Sequence, residues 1–318
     1  MRILLVLGLA LLSIVRLAPA ATPVADGTDL IAGEFVPNRQ PDGNSILFHT
    51  GAGLVVMDNG RHAAHTQQIL DFAHDAGQPV AAVINSHWHL DHIGGNARVR
   101  AAYPGVRIYA SGALKDALGG FLAGYRKQLE DAIAQTSDEK TRQSYRDEIA
   151  IIDAGPQLAP DEVITGARAL RIGGRVLELH LEKHSVTAGD VWVFDPVTRV
   201  LAAGDLVTLP VPFLDTACPA HWKTALDDLD HANFKQLIPG HGAPMSHAEF
   251  GVYRKAFSNF VACGAGKQDK AVCIDGWLRD AASLLAGTDR EFVKKLLDYY
   301  VDASLRTAPD KTAKLCGA

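Results

Sequence analysis

The amino-acid sequence predicts a layered α/β fold, because strand-like and helix-like segments alternate in both halves of the chain. Residues 80–85 form a short apolar run without alternation, which is typical of a strand buried on both faces. Residues 62–76 place Ile69, Leu70 and Ala73 on one face of a helix. The 318 residues, 47% of them hydrophobic, suffice for one large domain or two small ones.

The first 20 residues have the pattern of a secretory signal peptide. Arg2 precedes an apolar run at 3–15, and small residues at 18–20 offer a cleavage site before Ala21. The run is shorter than the about 20 apolar residues that span a membrane, and Arg16 interrupts it. We therefore expect export to the periplasm and a mature chain without a membrane span.

Four cysteines would meet an oxidising compartment after export, which favours disulfides. They allow three pairings, and the sequence does not choose among them. Cys263 and Cys273 flank a short polar segment and would close a small loop, and Cys218 and Cys316 are the remaining two. None lies in a C-x-x-C pair, so neither a cysteine metal site nor a redox motif is predicted.

The charge pattern bears on the class of ligand. The formal net charge is −5, and no lysine- or arginine-rich run is present. A basic footprint for nucleic acid is therefore missing. We expect a small-molecule substrate and no nucleic acid, while partner proteins stay unknown.

The element order divides the mature chain into three parts. Predicted strands at 30–36, 45–49, 54–58, 80–85 and 106–110 surround helices at 62–76 and 93–102. Residues 113–152 are polar and favour helix, which predicts a helical hairpin inserted in the 21–247 domain, either as a packing element or as a lid. Further strands follow at 163–165, 169–172, 176–181, 191–195, 200–203 and 234–238. Residues 248–318 are predicted to form a helical extension packed on the same domain.

The densest cluster of metal-binding side chains is the sequence His-Trp-His-Leu-Asp-His at 87–92. Imidazole and carboxylate groups are the usual ligands of zinc. Side chains at i and i+2 of an extended chain point the same way, so His87 and His89 can converge on one ion. Asp91 and His92 lie where the chain turns into a helix and can face a second ion beside it.

Three more candidate ligands follow predicted strands, where α/β folds place their sites. His184 follows the strand 176–181, Asp205 stands in Ala-Gly-Asp, and His241 stands in Pro-Gly-His-Gly. The glycines beside Asp205 and His241 allow the backbone to crowd around an ion.

Together, these motifs resemble the metallo-β-lactamase superfamily in content and order, from residue 44 to residue 245. The resemblance implies a four-layer αββα sandwich with a two-zinc site between its sheets. It implies the following ligand set: His87, His89 and His184 for the first zinc, Asp91, His92 and His241 for the second, and Asp205 as the bridge.

The sequence departs from the family pattern in two places. Gly189 lies five residues after His184, farther than is usual for the family. A short insertion explains this spacing, or His180 is the ligand in place of His184. Asp58 stands in Asp-Asn-Gly where Asp-Thr-Gly is more usual, and we expect it to support a ligand rather than to bind metal. His62, His65 and His74, on one predicted helix, are expected to be exposed.

The resemblance implies a zinc-dependent hydrolase in which a hydroxide shared by the two ions attacks an ester, thioester, lactone or lactam. Asp91 would be the catalytic side chain, orienting the nucleophile or accepting its proton. Asp205 makes the chain more similar to glyoxalase II and related esterases than to dedicated β-lactamases. Three alternatives stay open: a β-lactamase proper, an oxidoreductase like the persulfide dioxygenases with iron as its metal, or a non-catalytic periplasmic assembly factor of a quinoprotein system.

Overall fold

Residues 21–35 and 39–317 are described by a computed structural model, and the predicted signal peptide lies outside these ranges. Within them, no helix combines the length and the apolar character needed to cross a membrane. The chain folds into two β-sheets with helices on their outer faces.

The first sheet has seven strands that follow one another in chain order. Neighbours are antiparallel over the first four strands and parallel over the rest. The strands are β1 (Thr22–Ala25), β2 (Thr28–Ile31), β3 (Ser45–Thr50), β4 (Gly53–Met57), β5 (Val80–Ile84), β6 (Arg107–Ser111) and β7 (Glu162–Ile164).

The second sheet has six strands, also in chain order across the sheet. Its neighbours are antiparallel except for the pair β11 and β12. The strands are β8 (Arg168–Ile172), β9 (Arg175–Glu182), β10 (Asp190–Asp195), β11 (Val200–Thr208), β12 (Gln236–His241) and β13 (Met245–Ser246).

The helices are of two kinds, those that cover the sheets and those of the insertion between β6 and β7. In chain order they are α1 (Ala63–Asp75), α2 (Leu90–Ile93), α3 (Asn96–Ala102), α4 (Ala113–Gly119), α5 (Phe121–Gln135), α6 (Glu139–Ile152), α7 (Pro219–His231), α8 (His247–Gly264), α9 (Lys270–Asp280), α10 (Arg290–Tyr300) and α11 (Pro309–Leu315).

The alternation of strand side chains explains the layers. Ile46 and Phe48 of β3 face the second sheet and share a buried core with Leu179 of β9, whereas Leu47 faces outward onto Ile69 of α1. On the other side, Leu201 of β11 packs outward against the large apolar side chains of the C-terminal helices. The predicted αββα sandwich is confirmed.

The insertion packs directly on the motif loop. Trp88 and Leu90 of that loop share a buried cluster with Leu122 and Leu129 of α5 and Ile152 of α6. The hairpin therefore forms one wall beside the predicted metal site. Its second helix begins at Asp138, whose side chain accepts a hydrogen bond from Thr141 N, one residue beyond the capping position that Ser137 suggests.

Disulfides join Cys218 to Cys316 and Cys263 to Cys273. The first links the start of α7 to the segment after α11, over a sequence separation of 98 residues. The second closes the short loop between α8 and α9, as the flanking positions suggested. The three-dimensional proximity of the cysteines thus selects one of the three pairings.

Two local expectations differ from the structure. β11 continues to Thr208 rather than ending at residue 203, so Asp205 lies within the strand. A register shift after Ala202, with Gly204 at φ +53°, redirects the chain just before Asp205. His65 is buried rather than exposed. Its Nε2 lies 2.8 Å from Ser45 Oγ, which gives the buried imidazole a hydrogen-bond partner.

Candidate metal centre

The motif loop begins where β5 ends, beside the parallel strand β4. Asp58 follows β4 and His87 follows β5, so both lie at the carboxyl edge of the sheet, where such folds place their sites. The ring of His87 lies 4.4 Å from that of His89 and 4.3 Å from that of His92, measured between centroids. Three imidazoles of the motif are therefore packed together.

Asp91, His92 and His241 form one group of converging donor atoms. Asp91 Oδ2 lies 3.0 Å from His241 Nε2 and 3.7 Å from His92 Nε2. Asp205 Oδ1 lies 3.3 Å from His92 Nε2 and 3.7 Å from His241 Nε2. Donors that bind one zinc ion tetrahedrally at about 2.0–2.1 Å lie about 3.3 Å from one another. Asp91, His92 and His241 therefore form a set of three converging ligands, and Asp205 lies beside both histidines.

His87 belongs to a second, overlapping group with His92 and Asp205. His87 Nε2 lies 3.8 Å from Asp205 Oδ2, so the carboxylate of Asp205 faces both groups. All three side chains are buried.

Several of these buried atoms have no hydrogen-bond partner. They are His87 Nε2, His92 Nε2, Asp205 Oδ1 and His241 Nδ1. Buried polar atoms in folded proteins are nearly always paired, because an unpaired one loses its hydration without compensation. A cation coordinated by the Nε2 atoms of His87 and His92 and by Asp205 would supply what these three groups lack, so the residues present fit a metal centre.

Asp58 and Ser86 orient two of the imidazoles. Asp58 Oδ2 accepts hydrogen bonds from His92 Nδ1 at 2.8 Å and from Ser86 Oγ at 2.6 Å, and Ser86 Oγ in turn accepts from His87 Nδ1 at 2.9 Å. This network assigns the ring protons of His87 and His92 to Nδ1. Both Nε2 lone pairs are therefore directed at the centre, as metal-binding histidines require.

In the metal-free site, burial and the neighbouring imidazoles and carboxylates set the pKa values of His87 and His92. Burial lowers the pKa of His87 well below its usual value, and the imidazoles of His92 and His89 lower it further. Burial opposes protonation of His92 as well, but Asp205 and Asp58 outweigh it and hold the pKa of His92 well above its usual value. Neutral imidazole is the form that binds metal. A bound cation would therefore replace the proton on His92.

Glycines allow the chain to approach the centre closely. A Cβ atom at Gly43 would lie 2.5 Å from His92 Cε1, and one at Gly204 would lie 2.5 Å from Ser86 Cβ. At Gly240 it would lie 2.7 Å from the carbonyl carbon of Gly204. The expectation of backbone crowding beside Asp205 and His241 agrees with these contacts, whereas sequence analysis did not identify Gly43.

Asn44 was also not identified from the sequence. Its Nδ2 donates to the carbonyl oxygens of Pro239 and Gly242, at 2.9 Å each, and its Oδ1 accepts from Gly33 N. These bonds attach both sides of His241 to the beginning of β3. The only local signal is an asparagine beside Gly43 before a strand, which is too common to indicate this role.

Arg61 connects Asp91 to the insertion. Its guanidinium lies 3.4 Å from Asp91 Oδ1 and forms an ion pair with Glu148 of α6. Glu148 also accepts a hydrogen bond from Tyr125 of α5 at 3.3 Å. Glu148 is a buried carboxylate on the otherwise apolar stripe of α6. A charged residue on an apolar helix stripe was the sequence signal that could have identified it.

His89 makes a different contact from the other motif histidines. Its Nε2 meets Thr216 Oγ1 at 3.0 Å, and that hydroxyl donates to Val186 O at 2.9 Å. Since the hydroxyl proton is directed at Val186, the bond to His89 uses a proton on Nε2. Nδ1 is then the atom of His89 that has a lone pair for a metal.

The structure does not bring His184 into either group of converging donors. His184 follows β9 with a positive φ of 55°, and its Nδ1 meets the carbonyl oxygen of Leu315 at 3.2 Å. His180, the alternative, stacks on Trp192 with ring centroids 3.8 Å apart, and it is not in either group. Among the described residues, the predicted ligands that lie outside both groups of converging donors are therefore His184 and His89, and the ring of His89 packs on that of His87.

Replacing Asp58 with asparagine is expected to weaken metal binding by about 10–100-fold, which is typical when a partner of a metal-binding histidine is lost. One amide oxygen cannot serve the three donors that the two carboxylate oxygens accept. Competition against a chromophoric chelator measures the affinity. Asp29→Asn is the control, because Asp29 also pairs with a histidine. That histidine, His49, lies near the end of β3, whereas the beginning of β3 adjoins the His241 loop. Unchanged affinity in Asp58→Asn would contradict the orienting role.

Comparison with known proteins finds relatives in sequence over most of the described domain. A family model described as the metallo-beta-lactamase superfamily matches residues 39–249. A linear primary-alkylsulfatase from Pseudomonas sp. is 26% identical over 222 residues, covering 62% of this chain and 41% of the relative. A hydroxyacylglutathione hydrolase from Gloeobacter violaceus is 35% identical over 68 residues, covering 21% of this chain and 25% of the relative. The chain thus spans less than half the length of these curated relatives.

Solved structures agree in fold. A metallo-beta-lactamase from Pontibacter korlensis superposes with a TM-score of 0.56 at 20% identity, over 75% of this chain and 98% of the other. The metallo-beta-lactamase FIM-1 from Pseudomonas aeruginosa, in its mono-zinc form, gives a TM-score of 0.56 at 17% identity, over 75% and 94%. At these identities the likeness establishes the architecture alone.

Proposed function

Because the chain belongs to the metallo-beta-lactamase superfamily, we propose that it is an exported zinc-dependent hydrolase acting on an ester, thioester, lactone or lactam. The observation that carries the proposal is a pair of overlapping groups of donors, Asp91 with His92 and His241, and His87 with His92 and Asp205. The Nε2 atom of His92, which belongs to both groups, is unpaired in the interior.

The residues that would hold zinc include those whose donors converge, which are His87, Asp91, His92, Asp205 and His241. His89, whose ring packs on that of His87, would add its Nδ1 atom. Zinc bound there would act as a Lewis acid on the scissile group and would lower the pKa of a coordinated water. Two zinc ions is the number that the family resemblance implies.

Asp91 is the proposed catalytic side chain. Arg61 lies 3.4 Å from its Oδ1, and His241 Nε2 lies 3.0 Å from its Oδ2. The Arg61 contact therefore orients the carboxylate before substrate arrives. A carboxylate held in this way can orient an attacking water and accept its proton.

Aromatic side chains lie on both sides of the centre. Phe35 is 40% exposed, and its ring lies 5.2 Å from that of His241. On the other side Phe121 is 53% exposed and lies 4.8 Å from Trp88, which itself packs on His89. Exposed aromatic rings beside a buried polar centre favour a small-molecule substrate with an apolar group next to the scissile bond.

Export to the periplasm is supported by the cysteines. All four lie in disulfides in the structure, and disulfides persist mainly in oxidising compartments.

The test is an activity panel on zinc-loaded protein that begins at Ala21. We expect hydrolysis of at least one substrate among nitrophenyl esters, thioesters, lactones and β-lactams, lost with a chelator and restored by zinc. A phosphodiester and a persulfide with oxygen-uptake detection complete the panel. Inactivity of the zinc form together with oxygen uptake by an iron form would overturn the hydrolase proposal in favour of an oxidoreductase.

A further inference from the structure

We propose that the two metal positions of this centre are unequal, so that one zinc ion binds tightly and the other weakly. The proposal rests on the metal centre of the proposed function and specifies its occupancy. The acidic position comprises Asp91, His92 and His241 with a share of Asp205. The histidine position comprises His87 and the adjacent His89 with a share of the same carboxylate.

The acidic position has three ligands of its own. Asp91 Oδ2 lies 3.0 Å from His241 Nε2 and 3.7 Å from His92 Nε2. Asp205 Oδ1 adds a shared carboxylate 3.3 Å from His92 Nε2. Catalytic zinc sites function with three protein ligands. A metal ion is therefore held there even without the share of Asp205.

The charge at the acidic position also favours a cation. Asp91 faces the guanidinium of Arg61, which would weaken its attraction for zinc if Arg61 were unpaired. Arg61 instead forms an ion pair with Glu148, so the two charges largely cancel. The carboxylates of Asp91 and Asp205 thus keep their negative charge for the metal.

The histidine position has fewer ligands. His87 offers Nε2, and His89 offers Nδ1 because Thr216 occupies its Nε2. Asp205 Oδ2 lies 3.8 Å from His87 Nε2, and this carboxylate is shared with the acidic position. Two imidazoles and a shared carboxylate are less than the three dedicated ligands of a catalytic zinc site.

The ligand that would complete the histidine position is held elsewhere. His184 contacts the carbonyl oxygen of Leu315, and the Cys218–Cys316 disulfide fixes this C-terminal segment to the start of α7. The same loop is anchored by a hydrogen bond from Cys218 N to Ser185 O. Val186, two residues after His184, is fully buried in the apolar core beneath the second sheet and has no donor side chain. The fold therefore keeps the third imidazole away.

The experiment measures zinc retained per chain without substrate. Protein from Ala21 onward is saturated with zinc, dialysed against metal-free buffer, and analysed for metal, and the stepwise affinities are measured with a chromophoric chelator. We expect one zinc per chain to be retained and a second to bind at least about tenfold more weakly. His241→Ala is expected to lose the retained zinc, whereas His89→Ala is expected to keep it and to lose only the weak binding.

Two controls separate this proposal from its alternatives. His184→Ala and His180→Ala are both expected to leave the two affinities unchanged. A loss of the weak binding in His184→Ala, or two zinc ions retained with equal affinity by the wild-type protein, would overturn the proposal. Because metal content is measured without turnover, a protein that retains one zinc but hydrolyses nothing refutes the proposed function and leaves this inference standing. Circular dichroism of each variant identifies any that fail to fold.

Discussion

Asp205→Asn is expected to lower turnover by about 10³-fold, equivalent to about 4 kcal/mol of transition-state stabilisation, while the fold is retained. Asp205 is 2% exposed. Its Oδ1 lies 3.3 Å from His92 Nε2, and its Oδ2 lies 3.8 Å from His87 Nε2. It therefore belongs to the group of His87 and His92 and also lies 3.7 Å from His241 of the other group. Asparagine has nearly the same shape but removes the negative charge and one acceptor.

The measurement is the hydrolysis rate on a substrate found in the activity panel, together with zinc content and the thermal unfolding midpoint. Asp190→Asn is the matched control, because Asp190 is a buried aspartate of β10 whose hydrogen bonds go to Thr187. It is expected to keep its zinc and a rate within a few-fold of wild type. A wild-type rate and zinc content in Asp205→Asn would show that Asp205 is not a metal ligand.

Removal of the Cys218–Cys316 disulfide is expected to lower the free energy of unfolding by about 5 kcal/mol, against about 3 kcal/mol for Cys263–Cys273. The difference follows from loop entropy, since the cross-links span 98 and 10 residues. A longer closed loop restricts the unfolded chain more. The first disulfide also anchors α11 beside the His184 loop, so its loss adds local disorder there to the global effect.

Double alanine variants of each pair test this expectation, because alanine avoids burying a hydroxyl at Cys218 and Cys273, which are almost completely buried. Denaturant unfolding gives the midpoint and slope for each variant. Equal losses of stability, or a larger loss for the short loop, would contradict the loop-entropy reasoning. Zinc content of the Cys218→Ala/Cys316→Ala variant shows in addition whether releasing the C-terminal segment changes the centre.

Much of the centre could be read from local patterns. The six-residue motif at 87–92 places three histidines and an aspartate so close in sequence that the backbone alone keeps them together. Asp205 and His241 were identified because they follow predicted strands, and the glycines beside them agree with a backbone that passes close to an ion. The superfamily and the αββα fold also followed from the order of these motifs, and both are confirmed.

Residues that support the ligands were harder to find. Asn44 reaches the loop of His241 across 195 residues of sequence, and Glu148 reaches Arg61 across 87. Asn44 lies in no local pattern that distinguishes it from an ordinary loop asparagine, and the position of Glu148 on an apolar helix stripe indicates burial but not its partner. Their roles depend on which elements the fold brings together, and short-range periodicity contains no information on that.

The sequence by itself determined the fold class, the family and the candidate ligands that lie in short motifs, because side-chain periodicity and glycine placement act over a few residues. Only the tertiary structure decided the pairing of the cysteines and the position of His184. That histidine follows a strand at a spacing compatible with metal binding, yet a left-handed turn and the cross-linked C-terminal segment hold its ring against Leu315. The contact joins residues 131 positions apart, and such a contact arises only when distant parts of the chain pack together.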